Sequence, residues 1–346
     1  MAFADALSDP IQTPIGTETK CEIIKHLWGG SVRSRQLFTG EINYDPYFHY
    51  YAEQSGLALH DGGRHTSVRT HRDIIEIAQH LRNGSTRDEV KRLLRPKLTT
   101  SVPNEDELLN GSIDLAASLL LMMEIGSLQY GFSGRTQLAW TEKSLEECVR
   151  EYYSHPPALG HESVKLEKMF TARNIGRIAG IKIVWTRNLA DHLRMINEDT
   201  EVAIFHHVTF LENQQSSILP DGLADETLRT LTLLFPQAEV HTRKWFQKLA
   251  PSLNLDCRVI KRGQLRADDR QIENFHFWRD RLIILKQVFD EARPRTISQW
   301  WCDRRNGVQW YTFWVAILVL ALTICFGLVQ CVEGALQVYK AFVPSS

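Results

Sequence analysis

Histidines near residue 65 are the first place in the chain where side chains could do chemistry. His60, His65 and His71 surround the sequence Asp61-Gly62-Gly63. A bound metal ion would need imidazole, thiolate or carboxylate ligands at spacings that let them converge. These histidines match no established metal-site spacing. We therefore predict that they lie on the surface or in turns.

Two pairs of adjacent titratable residues occur later in the chain. His206 and His207 are adjacent in a predicted strand. Successive side chains of a strand point to opposite faces, so these two should not share one metal ion. Asp191 and His192 are predicted on a helix, and no nucleophile is recognisable beside them. Neither group indicates a catalytic arrangement.

The short motifs that build phosphate, nucleotide, hydrolase and metalloprotease sites are missing from the sequence. It has no GxxxxGK[ST] loop, no GxGxxG, no GxSxG, no HExxH and no kinase signature. We therefore assign no catalytic residue, no cofactor-binding residue, no metal ligand and no cofactor. An enzyme of unrecognised type stays open as an alternative, because missing motifs do not exclude activity.

Composition narrows the class of protein. The chain has 40 basic and 41 acidic residues, a balance that gives no global attraction to nucleic acid. Its six cysteines show no CxxC spacing, so neither a zinc site nor a disulfide framework is predicted. An apolar content of 43% is enough for the cores of one or two folded domains.

An uncharged segment near the C-terminus is the strongest structural signal in the sequence. From Asn306 to Val332 there is no Asp, Glu, Lys or Arg. With a rise of about 1.5 Å per residue, a helix from Trp310 to Val332 would reach about 34 Å. That length crosses a hydrocarbon layer of about 30 Å. We predict one transmembrane helix, with the lipid bilayer as its partner.

The residues beside this helix predict its orientation. Arg304 and Arg305 precede it, whereas Lys340 is the only cation after it. Positive residues near a membrane span stay on the cytoplasmic side, so the N-terminal region should be cytosolic. No signal peptide is recognisable at the N-terminus, which predicts the layout of a tail-anchored protein. Five aromatic residues would form the belt at the cytosolic interface: Trp300, Trp301, Trp310, Tyr311 and Trp314.

Small residues recur within the predicted span. Gly327, Cys331 and Ala335 follow one another at four-residue spacing, a pattern that lets two helices approach closely. This pattern predicts self-association through the transmembrane helix. Glu333 comes just after the apolar core, so a subunit of an ion-transport or channel assembly is the second alternative function.

The fold expected from the whole pattern is α+β and mostly α, with a winged-helix-like cytosolic region followed by one C-terminal transmembrane helix. We divide the chain into 1–70, an N-terminal arm and aromatic-rich segment; 71–155, a winged-helix-like unit; 156–265, a second α+β unit; 266–305, juxtamembrane helices; and 306–346, the anchor and a short tail.

The winged-helix-like unit is predicted from capping residues and apolar periodicity. Its elements would be helices at Asp73–Leu81, from Ser85 or Thr86 to Leu94, and at Asn104–Glu124, followed by strand-like runs at Ile125–Tyr130 and Arg135–Trp140. The third helix is acidic, which argues against DNA binding and predicts no nucleic-acid partner. Its apolar run Leu115–Met123 belongs in a core or against another protein.

The second unit is predicted to alternate strand, helix and strand before further helices. Its elements would be strands at Ile181–Trp185 and Glu201–Val208, helices at Asn188–Met195, Leu223–Phe235 and Val240–Leu249, and a longer helix at Asp268–Ala292 that leads towards the membrane.

Three segments carry a resemblance to known proteins. Glu226–Pro236, Phe277–Leu282 and, most specifically, Trp300–Trp314 resemble a family of uncharacterised membrane proteins from filamentous fungi. The resemblance covers the chain from about residue 70 onward and implies a cytosolic domain with a C-terminal anchor, without an activity. The aromatic helix before the span also resembles CorA-type magnesium channels. Those have two spans joined by a Gly-Met-Asn loop, whereas this chain has one span and its Asn306-Gly307 precedes it.

The leading functional hypothesis is a single-pass membrane protein whose cytosolic domain acts in protein-protein interaction or scaffolding. Two apolar segments motivate it, the run Leu115–Met123 and the aromatic segment Tyr44–Tyr51. A protein partner of unknown identity is therefore predicted beside the bilayer.

Overall fold

The structure is a computed structural model. It describes residues 6–29, 43–98, 104–126, 137–154, 156, 158–160, 164–214, 218–292, 296–303 and 307–342. The chain divides into two compact units. The N-terminal unit comprises Met1–Gly176 and Ile181–Glu291, and the C-terminal unit comprises Arg177–Gly180 and Ala292–Ser346. The five segments predicted from the sequence stay predictions.

Helices dominate the first half of the N-terminal unit. They are α1 (Thr17–Trp28), α2 (Asp45–Ala58), α3 (His60–Gly63), α4 (His71–Arg82), α5 (Arg87–Leu94), α6 (Glu105–Leu121) and α7 (Leu145–Tyr153), with 3₁₀ turns at Ala6–Ser8 and Arg95–Lys97. Thr70, Thr86 and Ser144 each close a capping box at the start of a helix. Gly29 ends α1 in the left-handed conformation with φ 77°.

The core of this half forms around α6. The run Leu115–Met123 is buried throughout, and α2, α4 and α5 pack on α6. The hydroxyls of Tyr47 and Tyr50 donate to the Leu119 and Ser118 carbonyls at 2.9 and 3.2 Å. These bonds satisfy carbonyls near the end of α6, where the helix has few partners of its own. The apolar run and the aromatic segment Tyr44–Tyr51 are therefore core surfaces of this chain.

One buried arginine connects three parts of this core. Arg87, at the start of α5, is 7% exposed and pairs with Asp114 of α6. Its guanidinium also donates to the Asn110 side-chain oxygen at 3.1 Å and lies 4.4 Å from the centre of the Trp140 ring. The cation thus holds α5, α6 and the segment before α7 together.

The predicted wing is described only at its ends. Ile125 and Leu138 form one isolated bridge of the parallel type. The hairpin turn itself falls in 127–136, outside the described residues. The winged-helix-like interpretation of 71–155 therefore stays a prediction.

A small sheet lies at the centre of the second half. Its strands are β1 (Lys182–Thr186), β2 (Met195–Ile196) and β3 (Glu201–Phe205), in the order β1-β3-β2. β1 runs parallel to β3 and β2 runs antiparallel to it. β1 is consequently an edge strand.

The helix predicted at Asn188–Met195 is wrong. This segment forms a 3₁₀ turn at Leu189–Asp191 and then enters β2. The Asn188 side chain accepts the backbone N–H of Ala190 at 3.2 Å, a local bond that competes with helix formation. Leu193 then takes a left-handed conformation with φ 59°, which an α-helix cannot contain.

Further helices occur before residue 292, and all lie in the N-terminal unit except residues 177–179 at the end of the first of them. They are α8 (Ala172–Ala179), α9 (Val208–Glu212), α10 (Leu223–Leu234), α11 (Val240–Leu253) and α12 (Arg279–Glu291), with 3₁₀ turns at Cys257–Lys261, Asp268–Arg270 and Ile272–Asn274. The single helix predicted at Asp268–Ala292 is wrong in its first part. The buried Glu226 carboxylate accepts the backbone N–H groups of His276 and Trp278, both at 2.8 Å, so those amides do not join a helix.

The C-terminal unit contains two further helices. α13 (Ile297–Cys302) begins in a capping box formed by Thr296 and Gln299. α14 (Gly307–Phe342) is one continuous helix of 36 residues. At about 1.5 Å per residue, α14 is about 54 Å long.

Candidate functional site

The first candidate site is α14, which is long and apolar enough to cross a membrane. The qualifying segment, Trp310–Lys340, has 31 residues, and its most apolar part is 0% buried. Leu318, Leu320 and Phe326 are 59%, 60% and 65% exposed. Each such side chain would gain about 1.5–3 kcal/mol by leaving water for an apolar environment. Exposed apolar side chains of this kind are typical of a helix that lies among lipid chains.

Aromatic side chains cluster at the start of α14. Trp300 stacks on Phe313 with ring centres 4.9 Å apart, and Trp301 meets Trp314 edge to face at 4.4 Å. The indole N–H of Trp310 donates to the Trp301 carbonyl at 3.3 Å. Indole rings combine an apolar body with a polar edge, which suits the boundary between lipid and water. The aromatic cluster marks the N-terminal end of α14.

The other predicted span residues lie along the same helix. Tyr311 and Val332 are 67% and 59% exposed, and Cys331 is exposed. A Cβ added at Gly327 would meet nothing within 4 Å. Self-association through Gly327 and Cys331 stays a prediction. Arg304 and Arg305, the predicted topology charges, lie outside the described residues.

The second candidate site is a cleft of about 680 Å³ in the N-terminal unit. Val184 of β1 and Ala203 of β3 are paired neighbours on one face of the sheet, and both line the cleft. The other walls come from α2, from Glu124 after α6, and from the chain between β1 and β3. The sequence gives no sign of this cleft, because its walls come from three separate parts of the chain.

Charged side chains converge in the cleft. Glu53 of α2 pairs with Arg187, which follows β1. The buried Asp191 carboxylate pairs with Arg194 at 2.8 Å. Glu124 adds a third carboxylate to the lining. Among the described residues that line the cleft, three carboxylates and two guanidinium groups give a formal net charge of −1.

The edge of β1 is open beside the cleft. The Lys182 N–H donates to the Thr200 carbonyl at 2.9 Å, so Lys182, Val184 and every second residue of β1 direct their backbone groups towards β3. The backbone N–H and C=O groups of Ile183 and Trp185 point the other way. Among the described residues these groups have no hydrogen-bond partner. This arrangement can accept an additional strand.

Two adjacent histidines lie directly after β3. The rings of His206 and His207 stack with centres 4.0 Å apart, so the expectation that they face opposite ways is wrong. β3 ends at Phe205, and the alternation of a strand does not extend to them. Burial, followed by nearby Arg187, lowers the pKa of His206 to about 3. Burial also lowers the pKa of His207 well below its ordinary value, so both rings are neutral.

Both ring nitrogens of His192 form hydrogen bonds within the core. Its Nδ1 accepts the Phe205 N–H at 3.1 Å, so in the neutral ring the Nε2–H donates to the Thr230 hydroxyl at 2.7 Å. Burial, with a smaller effect of Arg281, lowers the pKa of His192 to about 3. The imidazole bridges β3 and α10 rather than serving a catalytic pair with Asp191.

The histidines near residue 65 do not converge. His65 bonds the Glu107 carboxylate at 2.8 Å, and His71 bonds the Tyr51 hydroxyl at 2.9 Å. His71 is 1% exposed, so its predicted surface position is wrong: it begins α4 and packs against α2. The described part of the chain contains no group of His, Cys, Asp and Glu that could hold a metal ion.

Comparison of the chain with protein-family models, curated proteins and solved structures gives no match. The resemblance of Trp300–Trp314 to a fungal membrane-protein family therefore stays a prediction.

Proposed function

We propose that the protein is a single-pass membrane protein in which α14 crosses the bilayer and the N-terminal unit works at the cytosolic face as a protein-interaction module. The observation that carries the proposal is the 31-residue segment Trp310–Lys340, whose most apolar part has no buried residue. A helix of that composition is stable among lipid chains, because its apolar side chains leave water and its backbone bonds are all internal.

Charge and aromatic placement support the cytosolic orientation. Arg304 and Arg305 precede α14, and the indole cluster of Trp301, Trp310 and Trp314 lies at the same end. Cations flanking a span are retained on the cytoplasmic side, and tryptophans favour the interface. In the chain, α14 follows the N-terminal unit.

The open edge of β1 supports the interaction role. The run Leu115–Met123 and the aromatic side chains of Tyr44–Tyr51, which first suggested a partner, are buried in the core of the N-terminal unit. A partner must therefore use another surface. Backbone donors and acceptors at Ile183 and Trp185, beside a charged cleft, offer hydrogen bonds that a second chain can complete.

Membrane integration and orientation can be tested together. The full chain should stay with membranes after alkaline carbonate extraction, and a chain truncated before Asn306 should be released. Asn83-Gly84-Ser85 is a glycosylation acceptor with an exposed asparagine, so it should stay unmodified in the cytosol. An acceptor placed in a C-terminal extension should be modified. Glycosylation of Asn83, or release of the full chain by carbonate, would refute the proposal.

The interaction role is tested by proximity labelling from the N-terminal unit. The full chain and the chain truncated before Asn306 are labelled in parallel, and both are compared with a reporter fused to α14 alone. Neighbours that recur with the full chain and are absent with the α14 reporter support an interaction module. The same neighbours with both would mean that the N-terminal unit contributes no partner.

A further inference from the structure

We infer that the open edge of β1 binds an extended peptide segment of another protein, with one lysine or arginine side chain of that segment in the adjacent cleft. The inference rests on the proposed interaction role and names the class of partner and the site that receives it.

The backbone of β1 determines the conformation of the ligand. Ile183 and Trp185 together present two outward N–H groups and two outward carbonyls, in the alternating pattern of a strand that lacks a neighbour. An extended peptide satisfies all four by adding as a strand next to β1. Helical ligands cannot, because their own backbone groups are already bonded.

The sheet face beside β1 determines where the peptide side chains go. Val184 and Ala203 are neighbours on the face that lines the cleft. Side chains on an added strand would alternate between this face and the opposite one. Every second side chain of the peptide therefore enters or borders the cleft.

Charge in the cleft selects a basic side chain. Glu53, Glu124 and Asp191 outnumber Arg187 and Arg194 there. Asp191 is buried and pairs with Arg194, whereas Glu53, which pairs with Arg187, has a side chain that is 45% exposed and can be reached from solvent. A lysine or arginine entering near Glu53 brings the formal charge of the cleft to zero. An acidic side chain would raise it to −2.

A second copy of the chain fits this edge less well than a basic peptide. Symmetric pairing of β1 with β1 of another copy would be antiparallel, and the outward groups of Ile183 and Trp185 could bond. That pairing would also bring two clefts of formal charge −1 together, each with its own Glu53 and Glu124. Repulsion between them opposes the pair.

The probe is a phage-displayed library of random octapeptides, selected on the full chain in detergent micelles. Enriched peptides should share one lysine or arginine flanked by β-branched residues. Synthetic copies of the best sequence are then methylated on one backbone nitrogen at a time. Methylation should weaken binding at least tenfold at alternate positions only, because alternate N–H groups face β1. A scan without alternation would overturn the inference.

Two variants of the protein test the edge and the cleft separately. Ile183→Pro removes one outward N–H and keeps the bonds to β3, and it should weaken binding about tenfold. Glu53→Gln should weaken binding about fivefold and remove the preference for a basic residue. Glu151→Gln is the matched control, since that exposed carboxylate pairs with Lys143 outside the cleft. Thermal unfolding checks that each variant is folded.

Other results overturn the inference in distinguishable ways. Equal binding by the parent chain and Glu53→Gln would exclude a basic side chain in the cleft. A dimer that forms with the parent chain and is lost with Ile183→Pro would make a second copy the occupant. If proximity labelling finds the same specific neighbours with the parent and Ile183→Pro chains, the proposed interaction role stands and the β1 site fails.

Discussion

Acidification should destabilise the N-terminal unit through its buried histidines. His192, His206 and His207 are at most 3% exposed, and burial is the main cause that lowers the pKa of each. An unfolded histidine has a pKa of about 6.5. Because each folded pKa is lower than that, the stabilisation is complete above about pH 6.5 and is lost as the pH falls towards the folded value.

The size of the destabilisation follows from the pKa values of His192 and His206, which are both about 3. Consider a histidine with a pKa of about 3 when folded and about 6.5 when unfolded. Its protonation lowers the free energy of unfolding by about 2 kcal/mol between about pH 7 and about pH 5. His192 and His206 together therefore lower the free energy of unfolding by about 4 kcal/mol over this pH range. His207 changes it in the same direction. Small domains are stable by about 5–15 kcal/mol, so the effect is large.

Two buried carboxyl groups act in the opposite direction. Burial raises the pKa of Asp114 and of Asp256 above the ordinary range. A carboxyl with a raised folded pKa takes up its proton in the folded state first, which favours folding as the pH falls. The measured loss should therefore be smaller than the sum over the histidines.

The assay is urea unfolding of the full chain in detergent micelles, followed by far-ultraviolet circular dichroism at about pH 7 and about pH 5. His192→Gln removes one titrating group and should reduce the difference between the two pH values by about 2 kcal/mol. His49→Gln is the control, because His49 is exposed on α2 and should leave the difference unchanged. Equal stability at both pH values, or the same difference in His192→Gln and the parent chain, would refute the reasoning.

Four further substitutions test the packing and the anchor. Arg87→Ala should lower the free energy of unfolding by about 2 kcal/mol, because it leaves the partly buried Asp114 charge without its partner. Gly111→Ala should destabilise by about 3 kcal/mol or more, since its Cβ would lie 2.0 Å from a backbone oxygen, whereas Gly56→Ala meets nothing and should stabilise α2 by about 0.5–1 kcal/mol. Leu320→Arg should move the full chain towards the soluble fraction in carbonate extraction, because arginine at the centre of a span costs about 2.5–3.5 kcal/mol.

Matched variants make these outcomes specific. Arg87→Lys keeps the charge but not the planar stacking on Trp140, so it should lie between the parent and Arg87→Ala in unfolding experiments. Leu93→Arg introduces the same charge on an exposed leucine of α5 and should leave extraction unchanged. Equal extraction of Leu320→Arg and Leu93→Arg would contradict the membrane assignment.

The helices were predictable where their signals are local. Thr70, Thr86 and Ser144 each precede a helix and bond to a residue three positions on, so the sequence contains both partners of the cap. The long apolar run of α14 is equally local. Its length and composition are confirmed, and its membrane environment stays a proposal.

The predictions from sequence fail where residues that are distant in the chain determine the local structure. Glu226 holds the backbone of His276 and Trp278, and neither segment alone shows that it will meet the other. The cleft has the same origin, because Glu53, Glu124 and Asp191 are far apart in sequence and share no spacing. Only the folded chain brings α2, the residues after α6 and the residues after β1 around one cleft.

The length of α14 determines how far the helix must tilt if it crosses a bilayer as proposed. Its apolar run from Trp310 to Val332 is about 34 Å long at a rise of about 1.5 Å per residue. Matching a hydrocarbon thickness of about 30 Å would require a tilt of about 30° from the membrane normal, whereas a thickness of about 33 Å would require about 15°. Both angles lie within the range of about 0–40° found for transmembrane helices, so a change of tilt alone would fit this helix to bilayers of either thickness.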